Sequence, residues 1–339
     1  MTLDEIKINA KENMTICKMC RTCNGETCRG WTPGPGGKGS GSSFVRNVAK
    51  LKDVTIDMKL IRDDYEVDSS FDFFGMKCAA PIFAAPIANV AINYGSKVDE
   101  ITYLNGLTQG AIAANLPVFL GDGANREAFE MPLKIHKELN NSTVMTIKPW
   151  TMDLALSKLA EVKECSPMAV AMDIDAAGLI LLKKQGVPVA YKSISDLKKI
   201  REFMNVPFIV KGIMCVEDAQ AAIEAGVDAI VVSNHGGRVL DDSTSTIEVL
   251  EDIAKFVNKR CKVFVDGGFR SGADVYKALA LGADGVLIGR PFSHYAIGGQ
   301  AEGVKLYAEK LINELQECMR MTACQTLSDI KRSNVSVHF

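Results

Sequence analysis

The chain lacks an excess of either charge. Its 39 lysines and arginines stand against 41 aspartates and glutamates, a formal net charge of -2 over 339 residues, and no run of like charges breaks the balance. Binding to nucleic acid or to an acidic membrane surface needs a basic face that neutralises phosphates, so neither partner is expected. Long apolar runs are missing as well. The longest mainly apolar stretch, about 81–92, falls short of the roughly 20 residues that span a bilayer, and Met1-Thr2-Leu3-Asp4-Glu5-Ile6-Lys7 has no apolar core of the kind a secretory signal needs. A cytoplasmic protein without a membrane span is expected. The glycine-rich stretch 30–43 lacks a Walker pattern, because its glycines are not followed by Gly-Lys-Ser or Gly-Lys-Thr opening a helix after a strand. A flexible linker and an active-site loop both stay open for it.

Cysteine, by contrast, is plentiful. Six of the ten, Cys78, Cys165, Cys215, Cys261, Cys318 and Cys324, are scattered through apparent core segments like ordinary small buried residues. The other four are Cys17, Cys20, Cys23 and Cys28, spaced Cys-x2-Cys-x2-Cys-x4-Cys. Four thiolates so close in sequence can converge on one metal centre, and a reducing compartment argues against pairing them as disulfides. The first three share the spacing of ferredoxin-type iron-sulfur ligation but lack the usual Cys-Pro ending. An iron-sulfur cluster, a structural zinc and unmetallated or redox-active thiols are therefore all open.

After a short helix over 1–16, strand-like and helix-like segments alternate from about residue 81. Short apolar runs at 81–86, 117–120, 143–147, 168–173, 207–211, 228–232, 262–266 and 285–288 read as strands. Helix-period segments lie between them, as at 193–204, 216–225 and 271–281, and an amphipathic helix over 302–319 closes the pattern. Eight strands alternating with helices predict an α/β fold, a parallel (β/α)8 barrel of the TIM type over 44–339, preceded by a cysteine-rich extension over 1–43.

Asp173, Lys211, His235 and Asp266 each stand at or just beyond the end of a short apolar strand, and in such a barrel those ends share the face where active sites are built. Histidine can exchange a proton near neutral pH, and Arg238 offers a planar fork of donors suited to a carboxylate or a phosphate. Glycine-bearing turns follow the last two strands, at 266–272 and at Gly289-Arg290-Pro291. That is where such barrels hold a phosphate on backbone N-H groups, a helix N-terminus and an arginine. A phosphorylated cofactor or substrate is implied.

These residues match a family. Ile209-Val210-Lys211-Gly212, Ser233-Asn234-His235-Gly236-Gly237-Arg238, Asp266-Gly267-Gly268-Phe269-Arg270 and Gly289-Arg290-Pro291 closely resemble the FMN-dependent 2-hydroxy-acid dehydrogenases and oxidases, which include glycolate oxidase, lactate oxidase and flavocytochrome b2. The resemblance runs from about Ser43 to the C-terminal helix and leaves the cysteine segment outside. It implies bound FMN, with His235 as the base that takes a proton from the substrate. Asp173 would hold the protonated imidazole, its bland alternative being a helix cap. Lys211 would stabilise negative charge on the reduced flavin, its alternative being a side chain that merely reaches solvent. Arg238 would pair with the substrate carboxylate. Gly267, Gly268, Arg270, Gly289 and Arg290 would hold the FMN phosphate, with Asp266 among the cofactor contacts, and Pro86, Ile87 and Ala88 would pack on the flavin. Ser233 and Asn234 would contact the cofactor or serve only as turn formers. Relatives are commonly tetramers or octamers, which implies a homo-oligomer.

Two departures qualify the substrate. Neither of the family's substrate-binding tyrosines is present: the corresponding regions read Pro33 to Gly41 and Ile147-Lys148-Pro149-Trp150. The second carboxylate-binding arginine is also missing from 175–182, which weakens carboxylate binding by about 1.5–3 kcal/mol unless another group replaces it. Lys148, also at a strand end, is the candidate replacement. The expected activity is oxidation of an L-2-hydroxy acid, lactate-like, glycolate-like or larger, to the keto acid. A protein electron acceptor is expected if the cysteines carry iron and sulfur. The alternatives are an FMN-dependent isomerase or reductase of the type 2 isopentenyl diphosphate isomerase kind, against which the Ser-Asn-His-Gly-Gly-Arg motif weighs, and a non-enzymatic flavin or metal sensor.

Overall fold

In the computed structural model, which describes residues 1–139, 142–179, 182 and 185–339, eight parallel strands close into one barrel. They are β1 (Ile82–Ala84), β2 (Val118–Gly121), β3 (Thr143–Ile147), β4 (Val170–Asp173), β5 (Phe208–Ile213), β6 (Ala229–Val232), β7 (Lys262–Val265) and β8 (Gly285–Ile288). The ring closes where β8 pairs with β1, Val286 opposite Ile82. Runs such as Ala229-Ile230-Val231-Val232 are wholly buried, because a parallel strand in a barrel is covered on both faces and must be apolar on both. All eight expected strands form.

The barrel interior is filled by Phe83, Phe119, Val144, Ala171, Ile209, Val231, Phe264 and Leu287. Aromatics also reach it from outside the ring. Phe73, on an antiparallel hairpin of Phe71–Phe73 and Met76–Cys78, lies 5.0 Å from Phe83 and 5.8 Å from Phe264 between ring centroids. Lys262, the first residue of β7, lies over Phe71, so the hairpin plugs the end where the strands begin and leaves the other end open.

Two helices, α1 (Leu3–Asn13) and α2 (Ser42–Lys50), precede the barrel, and a long one, α3 (Arg290–Met321), follows it, broken once at Gln300, where φ is 47°. The helix expected over 302–319 is only the second part of α3. Its first part, from Pro291 to Gly299, is buried on every side and so carries no amphipathic signal. α1 covers one side of it. A Cβ on Gly298 would stand 2.2 Å from the Ile6 carbonyl oxygen, so only glycine lets α1 approach this closely. Ile6, Ala10, Met14 and Cys17 join the same apolar core as the outer faces of the barrel strands. Among the described residues, no helix is long and apolar enough to cross a membrane.

Strand register brings the polar ends together. Ile147 is opposite Met172 and Asp173 opposite Lys211, which sets Lys148, Asp173 and Lys211 at one level. Val265 is opposite Val232, so Asp266 and Ser233 follow at a neighbouring level.

Candidate active site

A cavity of about 420 Å³ opens at the C-terminal ends of the strands, within the range usual for small-molecule and cofactor sites. Pro86, Ile87 and Ala88 form one wall; Lys148, Lys211, His235, Arg238, Asp266, Gly267, Gly268, Arg270, Gly289 and Arg290 line the rest. Asp173 and Ser233 lie just beneath it, fully buried. Cys17, Cys20, Cys23 and Cys28 line a separate small pocket next to it, and Arg290 borders both.

The cavity floor is an ion cluster. Asp173 receives Lys148 Nζ at 2.8 Å and Lys211 Nζ at 3.1 Å, and Lys211 also lies 3.3 Å from Asp266 and donates to Ser233 Oγ at 3.0 Å. Burial alone would raise the Asp173 carboxyl, but Lys148, Lys211 and His235 together outweigh it and hold that carboxyl well below the usual range. Burial would likewise lower Lys211; Asp173, Asp266 and Asp175 outweigh it and raise the ammonium above the usual lysine range. Lys211 is thus a fixed cation under the cavity. Lys148 is not free in the way a replacement for the missing arginine needs to be. Its ammonium is committed to Asp173, because β3 and β4 stand side by side.

His235 has a different partner from the one expected. Its Nδ1 lies 3.0 Å from Asp175 Oδ1, while Asp173 serves the two lysines. After β4 the chain enters a single tight turn, Ile174–Gly178, which swings Asp175 towards β5. There the pairing of β5 with β6 slips between Lys211 and Ile213, and Gly212 has φ 115°; a Cβ on it would meet Asp175 Cβ at 2.7 Å. The glycine of the Lys-Gly pair therefore makes room for the acid. An Asp-x-Asp at a strand end was the only sequence sign of this partner, and it does not say which carboxylate turns inward. With Nδ1 donating to Asp175, the tautomer assigned from that partner leaves Nε2 as the proton acceptor. The loop is firmly held. Asn234 Oδ1 accepts from the Gly237 N-H at 3.1 Å and from Asn47 Nδ2 at 2.7 Å, which makes Asn234 a turn-forming residue in this structure.

Three half-buried arginines face the site, and among the described residues none has a carboxylate partner. Arg238 donates to the carbonyls of Gly34 at 2.5 Å and Gly36 at 3.3 Å and to Asn93 Oδ1 at 2.8 Å. Arg270 donates twice to the Cys23 carbonyl, at 3.0 and 2.8 Å, and Arg290 donates to Pro35 at 2.9 Å and to Gly236 at 3.1 Å. Enclosure, with Arg290 nearby, pulls the Arg238 guanidinium down to about 10. Cations clustered without anions are costly, and their arrangement fits anionic groups supplied from outside. α3 adds to this: it begins at the cavity edge, and its N-cap Gly289 makes no side-chain cap, so its first N-H groups are available to an anion. This donor set fits the phosphate of FMN, and the raised Lys211 fits the electron-rich edge of its ring.

The glycine-rich stretch proves to be an active-site loop. Lys38 bonds through its N-H to the Gly237 carbonyl at 2.8 Å and through Nζ to that of Val239 at 2.7 Å; Ser40 and Ser42 bond to Asp241. A Cβ on Gly36 would lie 1.9 Å from the Cys28 carbonyl oxygen, so the close approach demands glycine there. Thr32 and Pro33 of this loop line the cavity. Trp150 is buried, donates to Asp122 at 2.5 Å and does not line the cavity. Ile92, Leu179, Leu182 and Val187 complete an apolar flank. Ile180 and Leu181, part of the stretch that lacks the arginine, lie outside the described residues.

The profile of the FMN-dependent dehydrogenase family matches residues 31–184 and 124–337, so the match begins in the glycine-rich loop, upstream of Ser43. The chain is 30% identical over 334 residues to a 4-hydroxymandelate oxidase from Amycolatopsis orientalis, covering 89% of this chain and 92% of that one. It is 30% identical over 346 residues to an L-lactate oxidase from Lacticaseibacillus rhamnosus, covering 89% and 88%. A crystal structure of mandelate oxidase superposes with a TM-score of 0.81 at 25% identity, covering 99% of this chain and 98% of that one.

Proposed function

Because the chain belongs to the FMN-dependent dehydrogenases and is an FMN-dependent oxidoreductase acting on CH-OH groups, we propose that it oxidises a 2-hydroxy acid with an apolar side chain to the 2-keto acid, using His235 as the base. The observation that carries this reading is a proton-accepting His235 Nε2 and an Arg238 without a carboxylate partner among the described residues, both bordering one cavity above a fixed Lys211. FMN, when bound, accepts the two electrons released by the substrate. Of the residues lining the cavity, Gly267, Gly268, Arg270, Gly289 and Arg290 would hold its phosphate, and Pro86, Ile87 and Ala88 would pack on its ring.

Arg238 orients the substrate carboxylate. Its three hydrogen bonds leave two of a guanidinium's five donors unused, enough for one bidentate contact. His235 Nε2 receives the proton, and Asp175, hydrogen-bonded to Nδ1, stabilises the resulting imidazolium. The apolar flank of Ile92, Leu179, Leu182 and Val187, with Pro33 in place of a tyrosine, supports a substrate larger than lactate, in line with the 4-hydroxymandelate oxidase and mandelate oxidase relatives. Cys17, Cys20, Cys23 and Cys28 would ligate a metal centre beside this cavity.

Under anaerobic conditions the flavin absorbance of the holoenzyme should bleach on adding an aryl or branched L-2-hydroxy acid, and faster than with glycolate. Bleaching by none of a panel of hydroxy acids sinks the reading. In Asp175→Asn the rate of that bleaching should fall by about 10²–10⁴-fold, the scale of a disabled general base, with FMN content and substrate dissociation constant nearly unchanged. If it is Asp173→Asn that shows this kinetic signature and Asp175→Asn does not, the positioning role belongs to Asp173.

A further inference from the structure

We propose that Cys17, Cys20, Cys23 and Cys28 hold an iron-sulfur cluster that carries electrons out of the cavity, singly, to a one-electron carrier protein. The electron-carrying role rests on the FMN-dependent oxidation proposed above; the cluster itself does not. The four cysteines surround one pocket, closed on its inner side by Arg290 and His294. Among the described residues, the Asp173, Asp175 and His235 group alone brings three ligand atoms within 4.8 Å of one another, and no three cysteines do so. A tetrahedral zinc with Zn-S bonds of about 2.3 Å needs its sulfurs about 3.8 Å apart. Sulfurs standing farther apart around a pocket suit the several irons of a cluster, whose thiolates each bind a different corner or edge.

The charge is of the right sign. A cluster on four thiolates is anionic, and Arg270 Nη2 lies 3.6 Å from Cys23 Sγ while its guanidinium donates twice to the Cys23 carbonyl. Neither Arg270 nor Arg290 has a carboxylate partner among the described residues. N-H donors near cluster sulfurs set the reduction potential. Position supplies the role. Arg290 borders both the cavity and the cysteine pocket, which sets the two side by side, and Cys20 in the second is exposed. That is a route from an enclosed redox site to the surface.

Oxidation breaks the C2-H and O-H bonds, forms the C=O bond and releases two electrons and two protons. Both protons reach solvent, one by way of His235, and the two electrons pass in separate steps to two molecules of the carrier.

The test uses the full-length protein purified without oxygen. Stoichiometric iron and acid-labile sulfide, with an electron paramagnetic resonance signal after dithionite, support the cluster. Stoichiometric zinc without sulfide, or no iron uptake after anaerobic incubation with ferrous iron and sulfide, overturns it. Cys20→Ser should lose the iron and keep its FMN and its bleaching by hydroxy acid. Its reduction of cytochrome c, used as the one-electron probe, should slow at least about tenfold relative to that of phenazine methosulfate. A Cys20→Ser enzyme that lacks iron yet reduces cytochrome c at the wild-type rate overturns the electron-carrying role. Cys28→Ser repeats the comparison should the first variant fail to fold. Iron, sulfide and the resonance signal in a protein whose flavin no hydroxy acid bleaches support the cluster and sink only the substrate reading.

Discussion

Replacing His235 with glutamine should slow flavin reduction by the hydroxy acid by about 10²–10⁴-fold, the range for loss of a general base, while FMN stays bound. Among the described residues the side chain's one hydrogen bond is between Nδ1 and Asp175, and a glutamine amide can keep that bond but cannot take up the substrate proton. The position has φ 55°, in the left-handed region that histidine tolerates better than most residues. A loss of about 1 kcal/mol of stability, the scale of such backbone strain, is therefore expected beside the kinetic effect. Stopped-flow absorbance of the flavin band separates the two, because a binding-competent, folded variant still shows the oxidised flavin spectrum. A reduction rate within threefold of wild type would place the base elsewhere.

The second large effect is on stability. Asp173→Asn should destabilise the fold by about 3–5 kcal/mol, the usual result of removing one partner from a buried ion cluster, read as a shift in the urea unfolding midpoint. Lys211 keeps Asp266 at 3.3 Å, but Asp173 is the one carboxylate paired with Lys148 among the described residues. Adding Lys148→Met to the variant should recover part of the loss, since an apolar replacement removes the stranded charge.

The pH dependence has a definite sign. Asp173 is held below its unfolded value, near 3.9, so its stabilising contribution is present above that pH and disappears as the pH falls towards the folded value. Lys211 is raised, so its contribution is present below about 10.4 and lost only as the pH climbs through the folded value. The wild type should therefore lose stability more steeply than Asp173→Asn below about pH 4. Equal acid slopes in the two proteins, or a loss under about 1 kcal/mol on substitution, would mean the cluster relaxes around the amide.

How much of this was legible beforehand depends on whether a feature is local. The eight strands were legible because each is a short apolar run whose burial follows from its own residues, and the closed ring follows from their alternation with helices. That Lys148, Lys211, His235 and Asp266 would gather at one end also followed, since the strand ends of such a barrel share a face. The first part of α3 escaped notice because a helix buried on every side shows no periodic face, and the Phe71–Phe73 hairpin because a three-residue strand carries almost no pattern.

The sequence by itself determined the barrel, the face that carries the chemistry and the residue types collected there. Only the tertiary structure decided which of them touch. Asp175 rather than Asp173 bonds to His235, across 60 residues, because a turn and the irregular pairing beside Gly212 aim it there. Lys148 is drawn to Asp173 because β3 and β4 are neighbours in register. Arg238, Arg270 and Arg290 meet backbone carbonyls of a segment more than 200 residues upstream, because α1 anchors that segment against α3 and the glycines at 34 and 36 let it settle over the barrel mouth. Burial is a property each strand carries in its own sequence; a side chain's partner is set by register and by how the loops fold back, which no single stretch encodes.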